Sequence, residues 1–235
     1  MRSFLLLSVV LLSGCFTYRG RHTSNLGSIT PSAPAAEHTV GTADQALATL
    51  LEGNARFVAG TPQHGHQEIA RRAKLEAGQA PCAVVLTCSD SRVVPELLFD
   101  IGLGDLFVIR VAGNVVENDE AGSIEYAVEH LDVPLVIVLG HESCGAVTAA
   151  LGDTSDDFGE LERLLARLEP SLRTVDRTLP RREQIHAGVE ANVHRSTQRL
   201  RDLLAAGGHV PDGLQVLPAV YELGTGRVRL LDEAR

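Results

Sequence analysis

Tryptophan is absent from the 235-residue chain, and the other aromatics are six Phe and three Tyr. Stacking platforms for bases or sugars are therefore not expected. Basic charge is short as well: 21 Lys and Arg stand against 30 Asp and Glu, a net charge of −9. Neutralising nucleic-acid phosphates needs clustered Lys and Arg, so nucleic acid is not an expected partner. Long apolar runs are missing; the opening one, Phe4–Leu12, falls far short of the roughly 20 residues that span a bilayer. The 22 Gly and 10 Pro are too few for a collagen-like or low-complexity chain. What is present is 44% hydrophobic residues, enough to bury a core of domain size.

Cysteine is scarce too, with four residues: Cys15, Cys82, Cys88 and Cys144. An even number in an exported chain would allow two disulfides, but their contexts point elsewhere. Cys15 closes a stretch with one positive charge (Arg2), a short apolar run and small residues, the pattern of a secretory signal. Its Leu12-Ser13-Gly14-Cys15 ending resembles the lipobox of bacterial lipoproteins. That resemblance implies a signal peptide over 1–14, lipidation of Cys15, and a membrane anchor without a spanning helix. Phe16 rather than Asp after the cysteine directs such a protein to the outer membrane of a two-membrane bacterium. An ordinary signal peptide cleaved nearby is the alternative. Residues 15–41, rich in Ser, Thr, Gly and Pro, read as a flexible tether, and 42–235 as the folded body. Cys82 sits at the start of a buried-strand pattern and reads as a small core hydrophobe.

From Thr42 the apolar residues recur at helical spacing (Ala46, Leu47, Leu50, Leu51, Phe57, Val58), with Thr42 or Asp44 as cap and Gly60-Thr61-Pro62 as stop. A polar helix over 67–77 follows. Strands are then expected at 83–87, 106–111 and 135–139, alternating with helices at 94–99, 123–131 and 143–151. Strands this uniformly apolar are covered on both faces, as in a parallel sheet flanked by helices. Longer polar helices at 158–168 and 181–205 precede a strand pair, 214–223 and 227–231. The expected fold class is α/β: one domain, mainly parallel, with an antiparallel edge strand at the C-terminal end.

Directly after the first strand comes Cys88-Ser89-Asp90-Ser91-Arg92, and directly after the third comes His141-Glu142-Ser143-Cys144-Gly145. Open α/β sheets bind ligands at the carboxyl ends of their strands. If these two strands are neighbours, Cys88, His141 and Cys144 converge. Two thiolates and one imidazole suit zinc, and three protein ligands leave a fourth position open, the mark of a catalytic site. Asp90 is placed to orient a water there, and Arg92 to hold that carboxylate bidentately and ionised. A closed structural zinc with Asp90 as fourth ligand, and a core cysteine pair without metal, remain open on spacing alone.

These motifs, with Arg110-Val-Ala-Gly-Asn114, Ser123-Ile-Glu-Tyr-Ala-Val128 and Gly53-Asn54-Ala55-Arg56-Phe57, resemble the β-class carbonic anhydrases over nearly the whole body from Thr42. The resemblance implies one zinc ion per chain on Cys88, His141 and Cys144, with an Asp90–Arg92 dyad beside it. It implies hydration of carbon dioxide to bicarbonate by a hydroxide on the zinc, and active sites at the interface of an intertwined dimer, often paired into tetramers. Gln79 matches a glutamine that contacts substrate or anion, Phe107 and Tyr126 the lining of the pocket, and the Gly145 backbone its border with the metal. Taken alone, Gln79 is a loop polar residue, Phe107 strand core, and Tyr126 a buried helix face. The regulatory bicarbonate pocket that some members build around tryptophan is not expected here. His64 and His66, in a Gly-containing loop, are candidates for proton transfer, although loop histidines are usually only solvated. The same zinc and dyad would also serve hydrolysis of COS or CS₂. A surface zinc-binding lipoprotein is the non-enzymatic rival, and it would have no need of Asp90, Arg92 and Gln79.

Overall fold

The computed structural model describes residues 41–152, 159–208 and 210–232. The expected signal peptide, Cys15 and the expected tether up to residue 40 lie outside the described residues. Helix α1 (Ala43–Ala59) opens where Thr42 and Gln45 form a reciprocal capping box, and it closes at Gly60 in the left-handed conformation (φ 68). After the short α2 (Ile69–Leu75) come β1 (Ala83–Thr87), α3 (Pro95–Leu98), β2 (Leu106–Arg110), α4 (Asn118–His130) and β3 (Leu135–His141). Helices α5 (Gly145–Ala150), α6 (Glu160–Leu172) and α7 (Arg181–Gly207) then lead to β4 (Gln215–Tyr221) and β5 (Val228–Leu230).

The sheet order is β2-β1-β3-β4-β5; neighbours are parallel except β4–β5, which are antiparallel. Side chains alternate between the two faces of each central strand. Val84, Leu86, Val136 and Val138 join a core under α4 to α7, whereas Val85, Leu135, Ile137 and Leu139 join another with Leu50 of α1 and Leu98 of α3. Every residue of β1 and β3 is buried, as uniformly apolar strands require.

Three elements differ from the sequence reading. Strand β3 runs on through Gly140 to His141, because a glycine lets Val193 of α7 pack where a Cβ would stand. Helix α4 starts at Asn118 rather than at 123. Its polar opening is a helical first turn, in which the Glu117 N–H donates to the Glu120 carboxylate at 3.0 Å and the Glu117 carboxylate faces the Glu120 N–H in return. Helix α6 continues through Pro170 to the fully buried Leu172, whose burial outweighs the N–H missing from the last turn.

After β1 the chain crosses to one side of the sheet, to β2, and after β3 to the other, to β4. The crevice between the carboxyl ends of β1 and β3 is thus the point where strand order reverses.

Candidate metal centre

Strands β1 and β3 pair in register from Val84↔Val136 to Thr87↔Leu139, and the Thr87 hydroxyl donates to the Leu139 carbonyl at 2.8 Å. Cys88 therefore leaves the sheet beside the last turnings of β3, where His141 ends the strand. Ser143, at φ 52, turns the backbone sharply enough to return Cys144 to the same spot. The two Sγ atoms stand 4.0 Å apart, and the ligand atoms of Cys88, His141 and Cys144 all lie within 4.8 Å of one another. All three residues are buried, and both cysteines are free thiols.

The donor set fits zinc. Two Zn–S bonds of about 2.3 Å in a tetrahedron space their sulfurs by roughly 3.8 Å. The His141 ring donates Nδ1–H to the Glu142 carbonyl at 2.9 Å, which fixes Nε2 as the free lone pair. That Nε2 is buried and has no hydrogen-bond partner among the described residues. A buried imidazole nitrogen without a partner is costly unless a cation takes it.

Electrostatics agree. A hydrogen bond from Cys144, aided by the Gly113 N–H, holds the Cys88 thiol well below the usual thiol range, against the opposing effect of burial. The same hydrogen bond and burial push Cys144 up. Two sulfurs this close keep one proton between them, and a divalent cation is what would release it.

Asp90 stands apart from the three ligands. Its Oδ1 accepts from Arg92 N (2.9 Å) and Nε (2.8 Å), and its Oδ2 from Arg92 Nη2 at 2.7 Å. These hydrogen bonds hold its carboxyl well below the ordinary range although some burial opposes them. Oδ2 lies 3.8 Å from His141 Nε2, so the carboxylate borders the cluster while turned to the guanidinium. Arg92 also reaches the Ser143 carbonyl at 3.3 Å, tying the two loops together.

Three further residues shape the site and escaped the sequence reading as individuals. Arg110 donates to the carbonyls of Cys88 (3.3 Å) and Asp90 (2.7 Å) and so props the loop. The available signal was register, since Arg110 is the charged end of an apolar strand opposite Thr87. Gly113, in a 3₁₀ turn over Ala112–Asn114, donates its N–H to Cys88 Sγ at 3.3 Å from a φ of 69. Asn192 of α7, buried, holds the Gly113 carbonyl at 2.7 Å. Nothing local in the sequence marks that residue.

The chain brings together Cys88, Asp90, Arg92, His141 and Cys144, with Gly145 following at the exposed start of α5. It does not bring Gln79, Phe107 and Tyr126 to them. Phe107 pairs with Val84, about 13 Å of strand below Cys88. Tyr126 lies against Phe107, ring centroids 6.3 Å apart, and is 47% exposed rather than on a buried helix face. Gln79 is exposed ahead of β1, at the opposite end of the sheet.

His64 and His66 also sit at that far end. The Asp100 carboxylate accepts the N–H groups of Gln63 and His64, and Asp105 accepts His66 Nδ1 at 2.7 Å just before β2 begins. The loop is tied down structurally, remote from the cysteines of its own chain. Cys82 is half-buried at the foot of β1, and burial with the nearby Asp105 charge pushes its thiol up to about 11, the behaviour of an inert packing residue.

A buried cluster of two thiols and an imidazole, set at the strand-order reversal of a helix-flanked α/β sheet, defines a candidate metalloenzyme of mixed sulfur and nitrogen ligation. The family model for carbonic anhydrase matches residues 83–228. Carbonic anhydrase 2 of Mycobacterium tuberculosis is 42% identical over 191 residues, covering 78% of this chain and 90% of that protein. Among solved structures, a β-carbonic anhydrase of Aspergillus fumigatus superposes with a TM-score of 0.62 at 32% identity, over 80% of this chain and 92% of the other. Tetrameric β-carbonic anhydrases of Sordaria macrospora give 0.59 at 27% identity, over 80% and 97%. The chain belongs to the β-class carbonic anhydrases.

Proposed function

We propose that this carbonic anhydrase works with one zinc ion on Cys88, His141 and Cys144, and that its Asp90–Arg92 dyad serves the hydration of carbon dioxide to bicarbonate and a proton. The observation that carries the reading is the unpartnered His141 Nε2 between two free thiols 4.0 Å apart. When bound, zinc supplies the Lewis acidity that makes water a nucleophile near neutral pH.

The residues of the chain do the rest. Arg92 fixes the Asp90 carboxylate by both oxygens and keeps it ionised, so it accepts a hydrogen bond and never donates one. A water approaching the open side of the cluster is thereby oriented, its lone pair left free for the carbon of CO₂. Arg110 keeps the Cys88–Asp90 backbone from shifting under that load. The Gly145 backbone borders the opening.

Gln79, Phe107 and Tyr126 belong to the pocket only if a second copy supplies them, as the intertwined dimer of the family would. The exposed Tyr126 packed on Phe107 of the edge strand β2 supports that arrangement. In it, the rings line an apolar space for CO₂ and Gln79 hydrogen-bonds the product. Assembly as a homodimer or homotetramer follows. We further propose export and anchoring at a membrane through lipid on Cys15, supported by the Leu12-Ser13-Gly14-Cys15 ending. In the described residues no helix is long and apolar enough to cross a membrane.

The test is Asp90→Asn with bound zinc counted in the same sample. Retained zinc with hydration reduced about 100-fold or more supports the dyad's role. Unchanged hydration removes it.

A further inference from the structure

Beside the metal centre, α6 and α7 meet the segment that follows the 3₁₀ turn, and a narrow cleft opens between them. Its rim carries Arg167 of α6 and Arg195 and Arg199 of α7; Asn192 and Ser196 of α7 and Glu117 also line it, beside Val115 and Val116. The charge here runs against the chain. A protein of net charge −9 has placed three guanidinium groups around one carboxylate. Arg195 and Arg199 stand one helical turn apart, where like charges repel.

Ordinary pairing does not relieve them. Arg199 reaches Glu117 only at 3.9 Å, beyond hydrogen-bond distance. Arg167 and Arg195 make no ion pair or hydrogen bond among the described residues. Their neighbours on α6 behave differently: Arg163 pairs with Glu160 at 3.1 Å and Arg173 with Glu169 at 3.0 Å.

A second observation comes from its floor. Ser196 is only 4% exposed, lines the cleft, and its hydroxyl makes no hydrogen bond among the described residues. Facing the cleft, that hydroxyl is available to donate to an occupant. Asn192 already commits one of its amide N–H groups to the Gly113 carbonyl.

We propose that this cleft binds an oxyanion of the phosphate type, free or as the head of a phosphomonoester, held by Arg167, Arg195 and Arg199 with the Ser196 hydroxyl as a fourth donor. A dianion with several acceptor oxygens suits guanidinium forks supplied by two helices, and two negative charges match the excess of guanidinium over carboxylate. The site shares no residue with the metal cluster and does not depend on zinc chemistry. Asn192 nevertheless links the two places: it lines the cleft and holds the carbonyl of Gly113, the residue whose N–H contacts Cys88.

The experiment is titration of the metal-loaded full chain with inorganic phosphate, and separately with glycerol phosphate, at constant ionic strength, followed by calorimetry. The expected result is saturable binding of one ion per chain, weakened at least ~10-fold by Arg195→Gln and by the double exchange Arg167→Lys with Arg195→Lys. Arg163→Gln, an equal change in net charge on α6 outside the cleft, should leave it within about 2-fold, as expected for a weak exposed pair. Phosphate binding alone assigns a free ion; binding of both ligands assigns a monoester head. Thermal unfolding of each variant checks that the fold is kept. No saturable binding, equal weakening by Arg163→Gln, or binding that Arg195→Gln leaves intact would each overturn the proposal, the last by placing the ion elsewhere.

Discussion

Arg92 holds Asp90 by both carboxylate oxygens, at 2.8 Å from Nε and 2.7 Å from Nη2, and the same guanidinium reaches across to the Ser143 carbonyl. One side chain thereby sets the ionisation of the dyad and the spacing of the two loops that carry the metal-type residues. The closed alternative, with Asp90 turned onto the cluster, would have to break both of these bonds.

The first prediction concerns this pair. The hydrogen bonds from Arg92 lower the Asp90 pKa, so its ionised form is the favoured one and the proton returns only in strong acid. Wild-type hydration should show no carboxyl inflection between about pH 5 and 9. Arg92→Gln should let the Asp90 pKa rise towards its ordinary value and cost about 100-fold in kcat, read by stopped-flow hydration across pH. Arg92→Lys should not rescue it, since a point charge cannot reproduce the fork.

Metal removal is the second. Chelation should abolish hydration and lower the unfolding midpoint, because a ligand bound only to the folded state stabilises it. Affinity should fall as pH falls, since the thiol pair must lose the proton it shares. Competition with a chromophoric chelator at several pH values measures this; an affinity independent of pH would contradict thiolate ligation.

Asn192 offers the third. Asn192→Leu keeps the volume but releases the Gly113 carbonyl, and with it the N–H that faces Cys88 Sγ. Zinc affinity should drop by about 10–100-fold, as for other supports behind metal ligands. The sulfur-to-metal charge-transfer band of the cobalt-substituted protein should shift, which a merely destabilised helix would not cause.

A fourth prediction separates stability from catalysis. Burial alone would raise the Asp100 carboxyl, but Arg56 and the Gln63 and His64 amides outweigh it and bring it down to about 2. A depressed folded pKa gives stability that is present above the unfolded value near 4 and is lost as pH falls towards 2. Asp100→Asn should cost roughly 2–3 kcal/mol at neutral pH and flatten the acid end of the stability curve. Zinc content and kcat should hold, because this anchor lies away from the cluster.

Much of this was legible in the sequence because the informative patterns are local. The apolar run of β1 appears in the structure with the expected ends, and the Thr42 cap is where the sequence places it. Cys88 and His141–Cys144 meet because strands flanking a reversal of order must be adjacent. What stayed hidden depends on distant chain segments. The polar opening of α4 looks like a loop until Glu117 and Glu120 cap each other. Gly140 extends β3 only because Val193, far along the chain, packs over it. Asn192 finds Gly113 across 79 positions, a separation no spacing rule covers. Gln79, Phe107 and Tyr126 lie within the resemblance to the family, yet the fold of a single chain keeps them from the cluster, so the pocket proposed for them needs a second copy.

The most direct measurement is stopped-flow CO₂ hydration on the purified chain, with bound zinc counted in the same sample. The account predicts about one zinc per chain and fast hydration, with both lost in Cys144→Ser while the remaining helical signal persists. Hydration that survives without zinc, or zinc at that ratio with no hydration at any neutral pH, would contradict it.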